Sequence, residues 1–436
     1  MSEPAWDHHT DLLIVGSGAA GMSAALAAHD AGGRALVLEK SDQYGGSSAM
    51  SGGAAWIPGN HQMAGAGIED DREDAIAYLH SITKELAEPA RIEAYVDQAP
   101  KLIRWLQDNT HVQLTSLAKY PDYYPENQGG RPGGRTMEPV PFSAWNLGDE
   151  FDALRPSHPQ ELVFGRIGLT AAESHKIISG GLAAYPLVMW LMARYYGNLR
   201  ARNRGKRDVR LTLGNALMGR FRLSLLDREV PVWLHSEPTE LIVEDGRVVG
   251  AVVQRDGETI RVRAESGVML AAGGFARNKA MRQELQRHPI TDTWSAANPH
   301  NKGDGIRLGQ SVGGAVALMD DAWWTPVTLV PGKEYAWLLV VEKSMPGSIM
   351  VNQRGERFTN EAAPYVDVVN GMYDANSEEA PSIPAYLVFD ARFRRQYPVG
   401  PIAPGTAQPD KRVSRRMMGS FLKRADTLEA LAEEIG

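Results

Sequence analysis

The segment Gly16-Ser17-Gly18-Ala19-Ala20-Gly21 constrains the fold more than any other stretch of this chain. It fits G-x-G-x-x-G, and it stands between a continuous apolar run, Asp11–Val15, and an alanine-rich run, Met22–Ala31, closed by Gly32 and Gly33. An unbroken apolar run suits a strand of parallel sheet covered on both faces. The first glycine allows the tight turn, the second lets backbone approach a pyrophosphate, and the third seats the helix on the strand. The helix N-terminus, with Ala19 and Ala20, then faces the phosphates. Ala35–Leu38 reads as a second buried strand that ends at Glu39, where an acid can accept hydrogen bonds from ribose hydroxyls. A strand–turn–helix–strand unit for a dinucleotide follows, with a solvated strand-end acid as the plainer reading of Glu39.

The next residues favour a flavin over a nicotinamide. Glu39-Lys40 leads to Gly45-Gly46-Ser47-Ser48 and Ser51-Gly52-Gly53. These supply backbone N–H groups and three hydroxyls just beyond the acid, a second cradle that suits the longer dinucleotide FAD. A flexible Gly/Ser linker is the competing reading.

Composition sets outer limits. The 436 residues exceed one compact core and predict two to three domains. With 43% hydrophobic and 23% charged residues the chain has ordinary globular composition. The net charge of −7 argues against a nucleic-acid partner. Arg200–Arg207 is a short basic cluster without interleaved aromatics and reads as a solvated loop. With no cysteine, disulfides, thiolate metal sites and flavin attached through sulfur are excluded; no metal site is expected. Met1–Thr10 is polar and unlike a signal peptide, and Leu187–Tyr196 falls short of the ~20 apolar residues of a membrane span, so no transmembrane segment and a cytoplasmic location are expected.

Further along, Arg72–Asp108 reads as largely helical, 117–147 as a long loop, and Ala183–Arg200 as helical. Residues 239–263 form a β-meander, with Asp245-Gly246 and Asp256-Gly257 as hairpin turns. Gly267–Ala272 is a further buried strand running into Gly273-Gly274. After Ala276 the texture becomes less regular, and the tail Met417–Gly436 reads as a helix–turn–helix piece.

The order GSGAAG, EK-x4-GGSS-x2-SGG, meander, Leu270–Phe275 (LAAGGF) and Asn301-Lys302-Gly303-Asp304-Gly305 resembles the fumarate reductase/3-ketosteroid dehydrogenase superfamily of FAD proteins, over nearly the whole chain. The resemblance implies an α/β protein: a Rossmann-like FAD-binding domain, here 1–275, interrupted by an α+β substrate (capping) domain, here 276–436. It places Ala272, Gly273, Gly303, Asp304 and Gly305 near the cofactor. Where dicarboxylate-reducing members carry a His-Pro-Thr-type segment, this chain has Asp320-Asp321-Ala322-Trp323-Trp324-Thr325-Pro326. Trp323 and Trp324 suit a flat apolar substrate, or equally core packing.

Gly355–Glu361 matches the superfamily's G-x-R-F-x-N-E, and the following Pro364-Tyr365 is similar to the ketosteroid dehydrogenase branch. That similarity implies that Tyr365 removes a proton beside a ketone, and that Tyr123 or Tyr124 assists. The expected reaction is dehydrogenation of a 3-ketosteroid or similar ring ketone, with hydride passing to flavin N5 and then to an external acceptor. A fumarate-reductase-like ene-reductase and a non-catalytic flavin-binding fragment are the alternatives. The superfamily pattern continues into a Gly-Leu-Tyr-type loop that returns to the flavin domain. Nothing after Asp410 matches that loop, so a C-terminally shortened chain is expected.

Overall fold

In the computed structural model, residues 5–179 and 181–436 are described. Met1–Pro4, the start of the stretch read above as polar, lie outside them. The chain divides into two compact units, 1–275 with 298–316, and 276–297 with 317–436. Residues 298–316, within the range expected for the second domain, therefore pack in the first unit.

The first unit is built on a six-stranded mixed sheet. Its order is Val232–Trp233, Ala35–Leu38, His8–Val15, Glu258–Leu270, Arg247–Arg255, Ser236–Glu244. The first four strands run parallel and the last three form antiparallel hairpins. Leu36, Val37, Leu13 and Ile14 are fully buried, as continuous apolar strands under two covered faces require. Helix Ala19–Asp30 covers one face with Met22, Ala25 and Leu26, and packs beside helix Leu213–Asp227. Both Asp-Gly turns have left-handed conformation at both residues, φ 47° and 76° at Asp245-Gly246, 51° and 89° at Asp256-Gly257.

The meander and the next strand are not separate. Glu258–Leu270 is one continuous strand, antiparallel to Arg247–Arg255 from Glu258 to Arg263 and parallel to His8–Val15 from Val262 to Leu270. Apolar pattern alone cannot tell one long strand from two short ones. Residues 72–109 form two helices, Arg72–Thr83 and Pro89–Asn109, as Lys84 takes φ 48° and ends the first. The stretch 117–147 is more structured than a loop: it contains strand Thr136–Pro139, paired with Leu114–Ser116 and Ala55–Trp56. The basic cluster includes the short helix Leu199–Arg204, and Arg207 donates to the carbonyls of Phe151 (3.1 Å) and Leu154 (2.8 Å) rather than to solvent alone.

The second unit has two small sheets, Val327–Thr328 with Trp337–Leu338 and Ser348–Val351 with Tyr386–Phe389. Helix Tyr365–Asp374 buries Val368, Val369 and Tyr373; Val369 and Tyr373 share a cluster with Ile290 and Trp324. The tail holds one helix, Leu428–Ile435, capped by Thr427 on the Ala430 N–H; Met417–Leu422 forms tight turns around Gly419 instead of a helix.

Candidate active site

Register places the candidate cofactor residues. Val15 is paired with Leu38 on one side and Leu270 on the other, so three parallel strands end level. Their next residues, Gly16, Glu39 and Ala271, form a common carboxyl edge, where open α/β sheets bind ligands. Gly16 N–H donates to Leu38 O (2.8 Å) and Ala271 N–H to Val15 O (2.8 Å), which closes this edge. Gly303 N–H donates to Gly274 O (3.0 Å), bringing the GDG turn to the end of the LAAGG strand. A Cβ on Gly305 would lie 3.2 Å from that of Ala272.

Glu39 is buried, and its carboxylate is held from two sides. Ser17 donates its hydroxyl to Oε2 (2.5 Å) and accepts the Gly45 N–H (3.0 Å). Ser41 donates to Oε1 through its N–H (3.0 Å) and hydroxyl (2.9 Å), and Arg155, also buried, donates from Nη2 to the Ser41 oxygen (2.9 Å). Lys40 pairs with Asp304, whose other oxygen accepts Arg307 Nη2 (2.6 Å). Asp304 opens helix Asp304–Ser311, where the helix dipole favours a carboxylate.

The glycine-serine cradle is partly helical, Gly46–Met50, entered through Gly45 at φ 107°. Ser48 Oγ accepts the Ala19 N–H (3.2 Å) and Ser47 Oγ the Asn298 N–H (3.3 Å), so both keep an O–H to donate. Ser51 spends its hydroxyl on Ser48 O (2.9 Å) and accepts from Gly53 N–H (3.0 Å), closing the short helix. Nearby His300 has a pKa below that of an ordinary histidine, through burial first and then the charges of Arg155 and Lys40.

In the second unit Tyr365 is the first residue of its helix, behind Pro364. Trp323 donates its indole N–H to the Tyr365 hydroxyl (2.7 Å), and the rings stack at 6.5 Å. The adjacent tryptophans separate sharply. Trp323 is 77% exposed, whereas Trp324 is 6% exposed, donates to Asp321 Oδ1 (2.8 Å) and meets Tyr373 edge-on. Trp324 also lines an apolar cavity of about 570 Å³ with Trp294, Met350 and Val369.

Tyr123 and Tyr124 sit in the first unit on a loop anchored by Arg135, which is fully buried. Arg135 bonds Asp70 (2.6 and 3.0 Å) and Asp122 (2.8 Å) and lies over Trp56 and Tyr78. Tyr123 is 44% exposed, and Tyr120 has its pKa raised by desolvation and further by a hydrogen bond with Tyr123. The Tyr124 N–H donates to the Tyr78 hydroxyl (3.3 Å).

A family model described as FAD binding domain matches residues 11–429. The 3-oxosteroid 1-dehydrogenase of Mycobacterium tuberculosis (strain ATCC 25618 / H37Rv) is 40% identical, over 98% of this chain and 75% of that protein. The 4-oxocyclohexanecarboxylate 2-dehydrogenase of Sinomonas cyclohexanicum is 31% identical, over 98% of this chain and 72% of that protein. The crystal structure of 3-ketosteroid Δ1-dehydrogenase from Sterolibacterium denitrificans with 1,4-androstadiene-3,17-dione matches with a TM-score of 0.94 and 42% identity, covering 98% of this chain and 76% of that one. This chain belongs to the FAD binding domain family, in its 3-oxosteroid dehydrogenase branch.

As a member of that branch it is an FAD-dependent dehydrogenase acting on CH–CH groups. The carboxyl edge fits the cofactor on its own evidence. Two of the three fingerprint glycines are required by the protein itself: a Cβ on Gly16 would lie 2.4 Å from Ala271 O, and one on Gly21 would lie 2.1 Å from Gly16 O. Gly18 is different. Its Cβ would meet only Ser48 Oγ at 3.4 Å, and Gly52 would meet nothing within 4 Å. Their bareness leaves room for a ligand that approaches the backbone. The buried Asn301 Oδ1, 2.9 Å from the Cβ position of Gly273, also has no protein partner and remains an acceptor at this edge.

Three further participants emerge from the structure. Ser17 occupies a variable position of the fingerprint, and Arg155 lies 114 residues from Ser41, beyond any local pattern. Ser41, two residues after the acid, carries a weak signal, since serine hydroxyls commonly bond backbone and side chains nearby. Among the described residues no group of acids and histidines could hold a metal, and no helix is long and apolar enough to cross a membrane.

Proposed function

We propose that this FAD-dependent dehydrogenase introduces a double bond conjugated to the ketone of a 3-ketosteroid or similar ring ketone, with Tyr365 accepting the α-proton. The bond from Trp323 to Tyr365 carries the reading. An indole N–H can only donate, so the Tyr365 oxygen must accept. That donor stabilises the oxygen as it gains negative charge, the state needed to take a proton from carbon. The first-turn position adds the favourable end of the helix dipole. Relatives named for 3-oxosteroids and for 4-oxocyclohexanecarboxylate support a ring ketone as the substrate class.

The cradle residues Gly16, Gly18, Ala19, Ala20, Gly21, Gly45, Gly46, Ser47, Ser48, Gly52 and Gly53 hold the phosphates and ribityl chain. Glu39 holds the adenosine ribose, and Ala272, Gly273, Gly303, Asp304 and Gly305 close the site around the cofactor. Bound FAD supplies the acceptor for the β-hydride. Trp323 offers its exposed ring as an apolar wall beside the base, while Trp324 shapes the interior behind it. Tyr123 or Tyr124 is the candidate for the assisting tyrosine, as the resemblance to the ketosteroid dehydrogenase branch implies. An external acceptor completes the cycle.

The test is turnover of 3-ketosteroids with an artificial electron acceptor, repeated with Tyr365→Phe. Loss of a general base lowers kcat by about 10²–10⁴-fold. Turnover equal to the unsubstituted protein would remove Tyr365 from the reaction.

A further inference from the structure

We infer that Lys343 is a positioning residue for Tyr365, tying down the backbone that delivers this tyrosine to the first turn of its helix. The inference rests on the reading of Tyr365 as proton acceptor. Lys343 is 3% exposed, and a lysine is almost never buried to that degree without a reason. Its ammonium donates to the carbonyls of Glu361 (2.9 Å) and Ala363 (2.6 Å) and to Ser344 Oγ (3.3 Å). Three N–H groups thus meet three acceptors, the full capacity of an ammonium.

The Glu361 carboxylate is engaged elsewhere: it accepts the Met350 N–H (2.7 Å) and a forked pair from Arg357 (3.0 and 2.7 Å). Glu361 is therefore pinned through its side chain to strand Ser348–Val351 and through its carbonyl to Lys343. The carboxylates facing the ammonium are Asp367 and Glu361, which oppose the lowering of its pKa by burial.

The geometry explains why this brace bears on Tyr365. Ala363 directly precedes Pro364, the residue before the helix, and Tyr365 follows at once. Pro364 has a fixed φ and no N–H. The chain from Ala363 to Tyr365 has little freedom, so a shift of the Ala363 carbonyl moves the tyrosine. Without the ammonium, the buried Glu361 carbonyl and the half-buried Ala363 carbonyl must find other donors or water, and the segment moves to reach them. A displacement of this kind near 1 Å costs about a hundred-fold in rate. Nothing local marks the residue in sequence, because its partners lie 18 and 20 positions away.

The experiment is a double-mutant cycle in the FAD-loaded protein, using Lys343→Met, Tyr365→Phe and both together, with Lys343→Arg and Lys343→Gln alongside. Lys343→Met is expected to lower kcat about a hundred-fold with KM nearly unchanged. Lys343→Arg, which can still donate to both carbonyls, restores most of the rate. Lys343→Gln, a smaller disturbance to folding, falls between them. In the Tyr365→Phe background, Lys343→Met adds no further loss, because its effect passes through the tyrosine. Losses that multiply, or full kcat in Lys343→Met or Lys343→Gln while Tyr365→Phe is slow, overturn the inference and leave the tyrosine reading intact. An unimpaired Tyr365→Phe removes the tyrosine reading and, with it, the role of Lys343.

Discussion

The two units satisfy their backbone in different ways. At the carboxyl edge of the first unit, ladder bonds continue past the strand ends: Gly16 to Leu38, Ala271 to Val15, Glu39 to Trp233. In the second unit the sheets are short, and buried cations take over. Arg282 donates to the carbonyls of Thr291 (2.6 Å) and Ala276 (3.3 Å), Arg394 to those of Ala403 (2.8 Å) and Gln408 (2.7 Å), and Lys343 to those of Glu361 and Ala363. Buried carbonyls need donors in either case. Where strands cannot provide them, long side chains do. The irregular part of the first unit follows the same rule, with Arg220 on His111 O (2.8 Å), Pro141 O (3.1 Å) and Val140 O (3.3 Å). The difference is thus one of local regularity, and it predicts which substitutions hurt each unit.

The largest effect on stability is expected at the ladder edge. Gly16→Ala places a methyl 2.4 Å from Ala271 O at a φ of 108°, so strain and overlap together cost about 3–5 kcal/mol. Denaturant unfolding should show this loss together with loss of bound flavin; normal stability would mean that the strand ends are not closed as described.

Arg282→Met tests the cation braces. It takes the Arg282 donor from the half-buried carbonyl of Ala276 and from Gln286 Oε1 and leaves the Thr291 carbonyl with the Trp294 N–H (3.3 Å), at about 1–3 kcal/mol for each acceptor left bare. Unfolding followed by tryptophan fluorescence measures it, since four of the ten tryptophans, Trp294, Trp323, Trp324 and Trp337, lie in the second unit. No change in the midpoint would break the comparison.

A smaller effect concerns Glu342, whose carboxyl is pushed up to about 6 by burial, against hydrogen bonds from Trp337 and nearby backbone that favour its charged form. Because the folded pKa lies above the ordinary 4.5, the native state binds more protons between these values. The group's contribution is therefore present below pH 4.5 and lost as pH rises through about 6, leaving a penalty of about 2 kcal/mol at pH 7. Glu342→Gln should remove this slope from the stability–pH curve; an unchanged slope would contradict the burial of a charge there.

Gly18→Ala has the smallest expected effect on the protein alone, within about 0.5 kcal/mol, since its φ is −74° and the Cβ meets only Ser48 Oγ. FAD titration should nevertheless show about ten-fold weaker binding or more. Equal affinity would remove Gly18 from the cofactor's contact surface.

Much of the first unit was legible because its signals are local. The fingerprint, the strand Ala35–Leu38 and the two Asp-Gly turns each fix backbone conformation within a few residues, and the structure has them where the pattern predicts. The Gly/Ser cradle was legible as a turn-rich segment but not as the short helix Gly46–Met50, because glycine and serine carry no helical signal. The tail departs from its pattern for the opposite reason: Met417, Met418 and Leu422 favour a helix, yet the chain turns at Gly419, which takes φ 85°.

By itself the sequence determined the dinucleotide-binding unit, its acid at the strand end, the absence of thiol chemistry, and the residues that resemble a ketosteroid dehydrogenase. These depend on residue types at short spacing, where covalent geometry does most of the specifying. Tertiary structure alone decided which glycine faces open space, which of two adjacent tryptophans is buried, and that Trp323 donates to Tyr365. It also decided that Arg155 backs Ser41 and that Lys343 braces the entry to the Tyr365 helix. Each of these contacts joins residues tens of positions apart or more, except Lys343 and its partners at about twenty. No periodicity connects such residues; the packing of the folded chain does.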